Sequence, residues 1–351
     1  VRCFCTVVTR SHLGYVGSLA QSLRASGNAE DLWVLVADAS QGELPADGPG
    51  VRHLAYESVE AGLPPLIRYY YDAFELSNAL KPFLLTRLLG ECGASQVVYL
   101  DSDLLVTGSF EPVWDGFGGA SLLLSAHQFT PPAMSERFIS EVGVVDMGFL
   151  NGGFAAWRAG PAADRILEWM RTRFVAYGFC DRKEGMFVDQ KLLPLLLQYF
   201  PDDVRILRHP GVNIAFWNAY ERDVRKGPDG RWRVGGQEVI FFHLSGYRLS
   251  MPGVPCTYLE PGVNAGILGR SPWMSEVLSE YHAVLGRHQP PGPAPGYPFT
   301  SYDGVPLTQE FRRLLFEKGA FDRGSYAFWR VWARERLRGV KRLLRRIGIR
   351  L

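Results

Sequence analysis

The strongest constraint on this 351-residue chain is an alternation: apolar runs of strand length, each closing on a turn or an acidic residue, separated by segments with helical spacing. Residues 3–8 (CFCTVV) read as a buried strand, and TRSH follows as a turn. Leu13 to Ala25 then carries Val16, Leu19, Ala20 and Leu23 at three- and four-residue spacing, the stripe of a helix. Residues 32–37 (LWVLVA) make a second strand that ends at Asp38, and 51–54 a short third. Leu76 to Leu89 has a helical pattern with Pro82 inside it, which predicts a break or a helix start near Lys81. A strand over 96–101 runs into Asp101-Ser102-Asp103, and the apolar run 120–124 leads into the loop SAHQFTPP. Strand and helix alternating at these lengths predict βαβ units and a mostly parallel α/β sheet. Ligands of such sheets bind beyond the carboxyl ends of the strands. Thr9, Asp38, Asp101, Asp103 and His127 all fall there.

Further on, FLNGGFAAW (149–157) reads as a strand interrupted by a glycine pair, and Pro161 to Tyr177 and Val188 to Phe200 as helices. Residues 204–207, 213–217 and 239–243 are expected short strands, with a KGPDGRW turn at 226–232. The segment 250–310, rich in proline and glycine, is expected to be ordered loop or linker. This divides the chain into a domain over 1–250, an extension over 251–329 that shapes the acceptor site, and a tail over 330–351. Five scattered cysteines form neither a disulfide framework nor a zinc spacing, which suits a reducing, cytoplasmic setting.

Charge is unevenly spread. From Arg330 onward there are nine Lys/Arg and one acid, whereas the remaining residues hold 29 basic against 35 acidic groups. An acidic body argues against a nucleic-acid binder. In the tail Leu337, Val340, Leu344, Ile347 and Leu351 recur at three- and four-residue spacing among arginines. That pattern predicts an amphipathic basic helix, suited to the inner face of an anionic membrane. A helix packed on the body, or contact with an acidic partner, would use the same pattern.

Four segments carry chemistry. Asp101 and Asp103 at a strand end can bind a divalent cation that in turn binds a diphosphate; Asp is also a common turn residue. His243 closes the apolar run of FFHLSG (241–246) and can add an imidazole ligand or serve as a hydrogen-bonded structural residue. Asp189 and Gln190 in FVDQ stand where a helix N-cap belongs. Asn151 before two glycines suits close backbone approach to a ligand, or a β-bulge.

Together and in this order, TVVTRSHLGYVGSLAQSL, LKPFLL, VVYLDSDLLV, FLNGGF, VDQ and FHLSG resemble the retaining, metal-dependent GT-A glycosyltransferases of the family 8 type, and NIAFWNAYER (213–222) with FFHLSGY resembles a bacterial branch of that class. The resemblance covers roughly residues 1 to 250. It implies a GT-A, Rossmann-like sheet and transfer of a sugar from a nucleotide-diphosphate sugar, with UDP the implied nucleotide, to a glycan, lipid-linked or small-molecule acceptor. Asp101, Asp103 and His243 would ligate Mn²⁺ or Mg²⁺. Thr6, Val7, Val8, Thr9 and Tyr15 would hold base and ribose, with Asp38 on the base. Lys81, Ser102, Gly246 and Arg248 would meet the sugar or diphosphate. Asn151, Asp189 and Gln190 would line the sugar pocket as catalytic residues. One departure stands out: the family's diphosphate lysine position is Leu249 here, with Arg248 beside it. The alternatives are a sugar nucleotidyltransferase, which TVVTRSHLGY disfavours for want of glycine, and a non-catalytic saccharide-binding protein on the same fold.

Overall fold

The computed structural model describes residues 1–64, 66–132, 140–290, 292–319 and 325–346; the side chains of 325–326 and 338–346 are outside this description. In chain order the first half contains β1 (Arg2–Val8), α1 (Leu13–Ala25), β2 (Leu32–Val36), β3 (Val51–Ala55), α2 (Ile67–Tyr70), α3 (Ala73–Thr86), β4 (Gln96–Leu100), β5 (Leu104–Val106), α4 (Glu111–Trp114), β6 (Leu122–Ala126), α5 (Glu141–Met147), β7 (Leu150–Arg158) and α6 (Pro161–Tyr177). After these come β8 (Cys180–Asp181), β9 (Met186–Phe187), α7 (Leu193–Tyr199), β10 (Val204–Ile206), β11 (Val224–Lys226), β12 (Trp232–Val234), β13 (Gln237–Glu238) and β14 (Phe241–His243). The chain closes with α8 (Pro261–Arg270), α9 (Trp273–His288), β15 (Ser301–Tyr302), β16 (Val305–Pro306), α10 (Gln309–Glu317) and α11 (Ser325–Arg346).

Seven strands form the central sheet in the order β10-β6-β7-β4-β1-β2-β3. All neighbours are parallel except β7, which runs antiparallel to both β4 and β6. This is the mostly parallel, helix-flanked α/β sheet that the alternation of strand and helix segments predicts. β1 shows why its residues suit a central strand. Cys3, Cys5 and Val7 join the core under α3 and α6, while Phe4 and Val8 join the core under α1. Both faces are apolar because helices cover both. All five cysteines are free, and no helix among the described residues is long and apolar enough to cross a membrane.

Several expectations need correction. α3 runs through Pro82 without a break. The ring forfeits one helical bond, yet Leu80, Phe83, Leu84 and Leu85 are all buried, so packing carries the helix onward. Residues 213–217 are not a strand; one bridge, Ile214 to Phe242, replaces it. The expected loop over 250–310 contains α8 and α9. Met274, Val277, Leu278, Tyr281 and Leu285 have the spacing of a buried helical stripe, and they pack with β14 and the β11–β12 hairpin. The flanking prolines and glycines masked that stripe. Of the expected tail helix, 347–351 lie outside the described residues, and α11 accounts for the rest.

α9 lies on α1, where a Cβ added to Gly17 would come within 2.6 Å of the His288 ring, whose Nε2 lies 2.8 Å from Gln21 Oε1. Gly17→Leu is expected to cost about 1–3 kcal/mol by overpacking this contact, read as a lowered urea midpoint with an unchanged slope.

Candidate active site

The site forms at the carboxyl edge of β1, β2 and β4, with the first residues of the reversed β7 brought to the same edge. Asp101 follows β4 and Asp103 precedes β5. β5 pairs antiparallel with β14, setting His243 opposite Leu104. Consequently one ligand atom each from Asp101, Asp103 and His243 lies within 4.8 Å of the others. His243 Nε2 stands 3.3 Å from Asp103 Oδ1, and the Tyr99 hydroxyl donates to Asp101 Oδ1 at 2.7 Å. Burial opposes ionisation of Asp103, but His243 beside it, a backbone hydrogen bond and His12 together hold its carboxyl below the usual range.

The glycine pair of β7 explains how these groups fit. The β6–β7 register shifts after Leu124, from partner Ala155 to partner Asn151 for Ser125. A bulge and a close approach, alternatives in sequence, occur together. A Cβ on Gly152 would meet Asp189 Oδ2 at 2.7 Å, and one on Gly153 would meet His243 Cε1 at 2.5 Å and Asp101 Oδ2 at 2.9 Å. Only glycine leaves room for two carboxylates and an imidazole against this backbone.

Lys81 is buried behind them. Its Nζ donates to Gly152 O and Asp189 Oδ2, each at 2.9 Å, and lies 3.7 Å from Asp101 Oδ1 and 4.8 Å from the Tyr99 ring centroid. Burial alone would lower the lysine's pKa, but the two carboxylates raise it, so the ammonium stays charged. Desolvation pushes Asp189 up despite its partner. Asp189 Oδ1 is buried without a hydrogen-bond partner. Asp189 sits in a 3₁₀ turn over Val188–Lys191, and Val188 before it has φ +40°, a strained value for a β-branched residue.

The neighbouring amides are held as well. Gln190 Oε1 accepts from Gly152 N at 3.0 Å and Asn151 Nδ2 at 3.3 Å, and Asn151 Oδ1 accepts from Gly153 N at 3.0 Å. Asn151 Nδ2 also lies 3.2 Å from His127 Nε2. Burial pushes His127 down to about 4, with His243 adding, so the ring is neutral at physiological pH.

On the other side of the cleft, Arg10 N donates to buried Asp38 Oδ1 at 2.8 Å, and burial raises Asp38 above the ordinary carboxylate range. Thr6, Val7 and Val8 are buried and paired with β2; Thr9, just past the strand, bonds Ser11 Oγ at 2.9 Å. The Tyr15 hydroxyl is pushed up by desolvation, with Asp103 adding and Arg248 opposing. Ser102 is buried between the two aspartates. Gly246 has φ +77°, and a Cβ there would strike Cys256 Sγ at 2.7 Å. Leu249 packs with the β14–α9 core, while Arg248 is exposed.

Sequence reasoning gave no role to Tyr99, Asn213, Trp217 or Asn218. The Trp217 ring lies edge-on to both His127, at 5.2 Å, and His243, at 5.0 Å. Tyr99 stood inside the quoted VVYLDSD. The other three lay in NIAFWNAYER, whose resemblance to the bacterial branch assigned no role to any single residue.

No family profile matches the chain. It is 26% identical over 250 residues to the uncharacterized protein YfnF of Bacillus subtilis (strain 168), spanning 70% of this chain and 82% of that one. Among solved structures it is similar to the galactosyltransferase LgtC in complex with donor and acceptor sugar analogues, at 19% identity and TM-score 0.47, covering 81% of this chain and 95% of that one. It is also similar to the glycosyltransferase GlyE of Streptococcus pneumoniae TIGR4, at 16% identity and TM-score 0.45, covering 82% of this chain and 63% of that one.

Removing the buried cation is a direct test of this arrangement. Lys81→Met strands the Asp189 carboxylate, which should cost about 3–5 kcal/mol at neutral pH. A carboxyl with a raised folded-state pKa favours the folded chain at low pH and loses that advantage as pH rises. The deficit should therefore shrink on acidification, read from urea unfolding at two pH values.

Proposed function

We propose that the protein is a metal-dependent glycosyltransferase, a hexosyltransferase of family 8 type, that moves a sugar from a nucleotide-diphosphate sugar to an acceptor hydroxyl. The observation that carries this reading is the convergence of Asp101, Asp103 and His243 at the strand ends, against a glycine that leaves them room. Two carboxylates and an imidazole suit Mn²⁺, and Mg²⁺ less closely because it prefers oxygen ligands. Bound there, the cation would act as a Lewis acid on the departing diphosphate.

The chain's own residues supply the rest. Asp38 and Tyr15 line the side assigned to the nucleotide, with UDP the favoured base on the resemblance. Arg248, exposed beside the family's lysine position, is the residue we assign to the diphosphate, since Leu249 packs against the core. Lys81 holds Asp101 and Asp189 in place with an ammonium already committed to protein oxygens. Asp189 keeps Oδ1 free to stabilise the positive charge that develops on the sugar as the bond to the diphosphate breaks. Asn151 and Gln190 fix the glycine turn on which that carboxylate rests. The oxocarbenium-like charge needs a nearby anion whichever face the acceptor approaches; retention follows the resemblance.

Asp101→Ala, Asp103→Ala and His243→Ala should each reduce Mn²⁺-dependent release of nucleotide diphosphate from a UDP-sugar by about two orders of magnitude or more, in line with loss of a transition-state electrostatic contact. Full activity in any two of them would sink the assignment.

The tail reading belongs with this function. α11 docks through Phe328, buried against Tyr70, Leu307 and Leu315, while Trp329 and Leu337 are exposed. We assign the segment to contact with an anionic membrane surface, which suits a lipid-linked acceptor. Co-sedimentation with phosphatidylglycerol vesicles should drop when residues 330–351 are removed; equal sedimentation would count against it.

A further inference from the structure

We infer that Asn213 is the positioning residue that makes His243 a metal ligand, by fixing which ring nitrogen carries the proton. The inference rests on the metal–diphosphate reading above. Asn213 Oδ1 stands 3.0 Å from His243 Nδ1, and both side chains are buried. A carbonyl oxygen only accepts, so Nδ1 carries a hydrogen, and in the neutral ring that a cation requires the lone pair then falls on Nε2. Nε2 is the nitrogen that faces Asp103, at 3.3 Å. The orientation is therefore that of a ligand histidine held through its other nitrogen.

The backbone is built to hold this contact. His243 N donates to Ile214 O at 2.8 Å, which runs the Asn213–Ile214 segment alongside β14. Asn213 itself has φ +57°, a left-handed conformation that asparagine tolerates better than most residues. Asn218 fixes the turn from its other end: its Nδ2 donates to Asn213 O at 2.9 Å and to His127 O at 3.0 Å, and its Oδ1 accepts from Ala215 N at 2.9 Å. Trp217, in the same turn, closes the edge of the His243 ring.

One buried atom sharpens the test. Asn213 Nδ2 has no hydrogen-bond partner. Turning the amide over would present Nδ2 to the ring, move the imidazole proton to Nε2 and aim it at Asp103. That arrangement is a plain His–Asp hydrogen bond with no lone pair for a cation. The two amide orientations thus demand opposite tautomers.

Nitrogen-15 NMR of the metal-free wild-type chain reads the tautomer of His243 directly, and Mn²⁺ titration followed by electron paramagnetic resonance reads the affinity. Asn213→Gly keeps the left-handed backbone and removes the acceptor. It should lose the Nδ1–H preference and weaken Mn²⁺ binding by about 10- to 100-fold, with a lowered metal-free melting temperature because a buried N–H loses its partner. Asn213→Asp restores an acceptor and should keep both the tautomer and the affinity. A wild-type ring protonated on Nε2, or an Asn213→Gly chain that binds Mn²⁺ as tightly as wild type, overturns the inference. A wild-type chain with the Nδ1–H tautomer that takes up no Mn²⁺ overturns the metal reading itself, and the ligand role with it.

Discussion

The ammonium of Lys81 joins three parts of the chain at one buried point: α3, the glycine turn of β7 and the 3₁₀ turn that bears Asp189. A third oxygen, from Asp101 after β4, lies close by. Asp189 is buried, and stripping water from a lone carboxylate costs far more than the fold could spare, so the ammonium must stay beside it. The contacts are also demanding on the backbone. Gly152 and Gly153 must lack side chains, and Val188 takes up a left-handed angle to turn Asp189 inward. Strain of this kind persists where surrounding structure overdetermines it, and the ion pair supplies that determination here.

The sheet was legible because its causes are local. Strand runs such as CFCTVV and VVYL are apolar on both faces, and α1 and α6 carry their buried stripe at helical spacing. Where prediction failed, a longer-range cause won. Pro82 should have broken α3, but a helix buried along most of its length outweighs one missing hydrogen bond. α9 was hidden between proline-rich flanks, although its own stripe from Met274 to Leu285 was regular. Residues 213–217 had strand composition, yet their backbone curls to bring Asn213 against His243, and no propensity scale reports that demand.

The candidate site shows the same division. The strand-end aspartates, the His243 strand and the glycine pair announced themselves by polar residues in apolar settings. Lys81 could be named from resemblance, but its carboxylate partner lies 108 positions away, and only the fold reveals that its charge is turned toward the protein. Tyr99 and the turn from Asn213 to Asn218 touch Asp101, His127 and His243, of which Asp101 and His243 are proposed above as metal ligands. Such supporting residues carry no mark of chemistry in sequence, since ordinary tyrosines, asparagines and tryptophans serve equally well in cores.

β7 enters the sheet between β4 and β6, reversed relative to both, although β6 precedes it in the chain. During synthesis β4, with its Gln-Val-Val-Tyr-Leu edge, must wait some fifty residues for that neighbour. Until then β4, paired only with β1, leaves its other edge open, the kind of edge that recruits other chains. The same late arrival delivers Asn151, Gly152 and Gly153. The edge of β4 and the cleft are thus completed by one and the same strand, so whatever delays β7 leaves both open together.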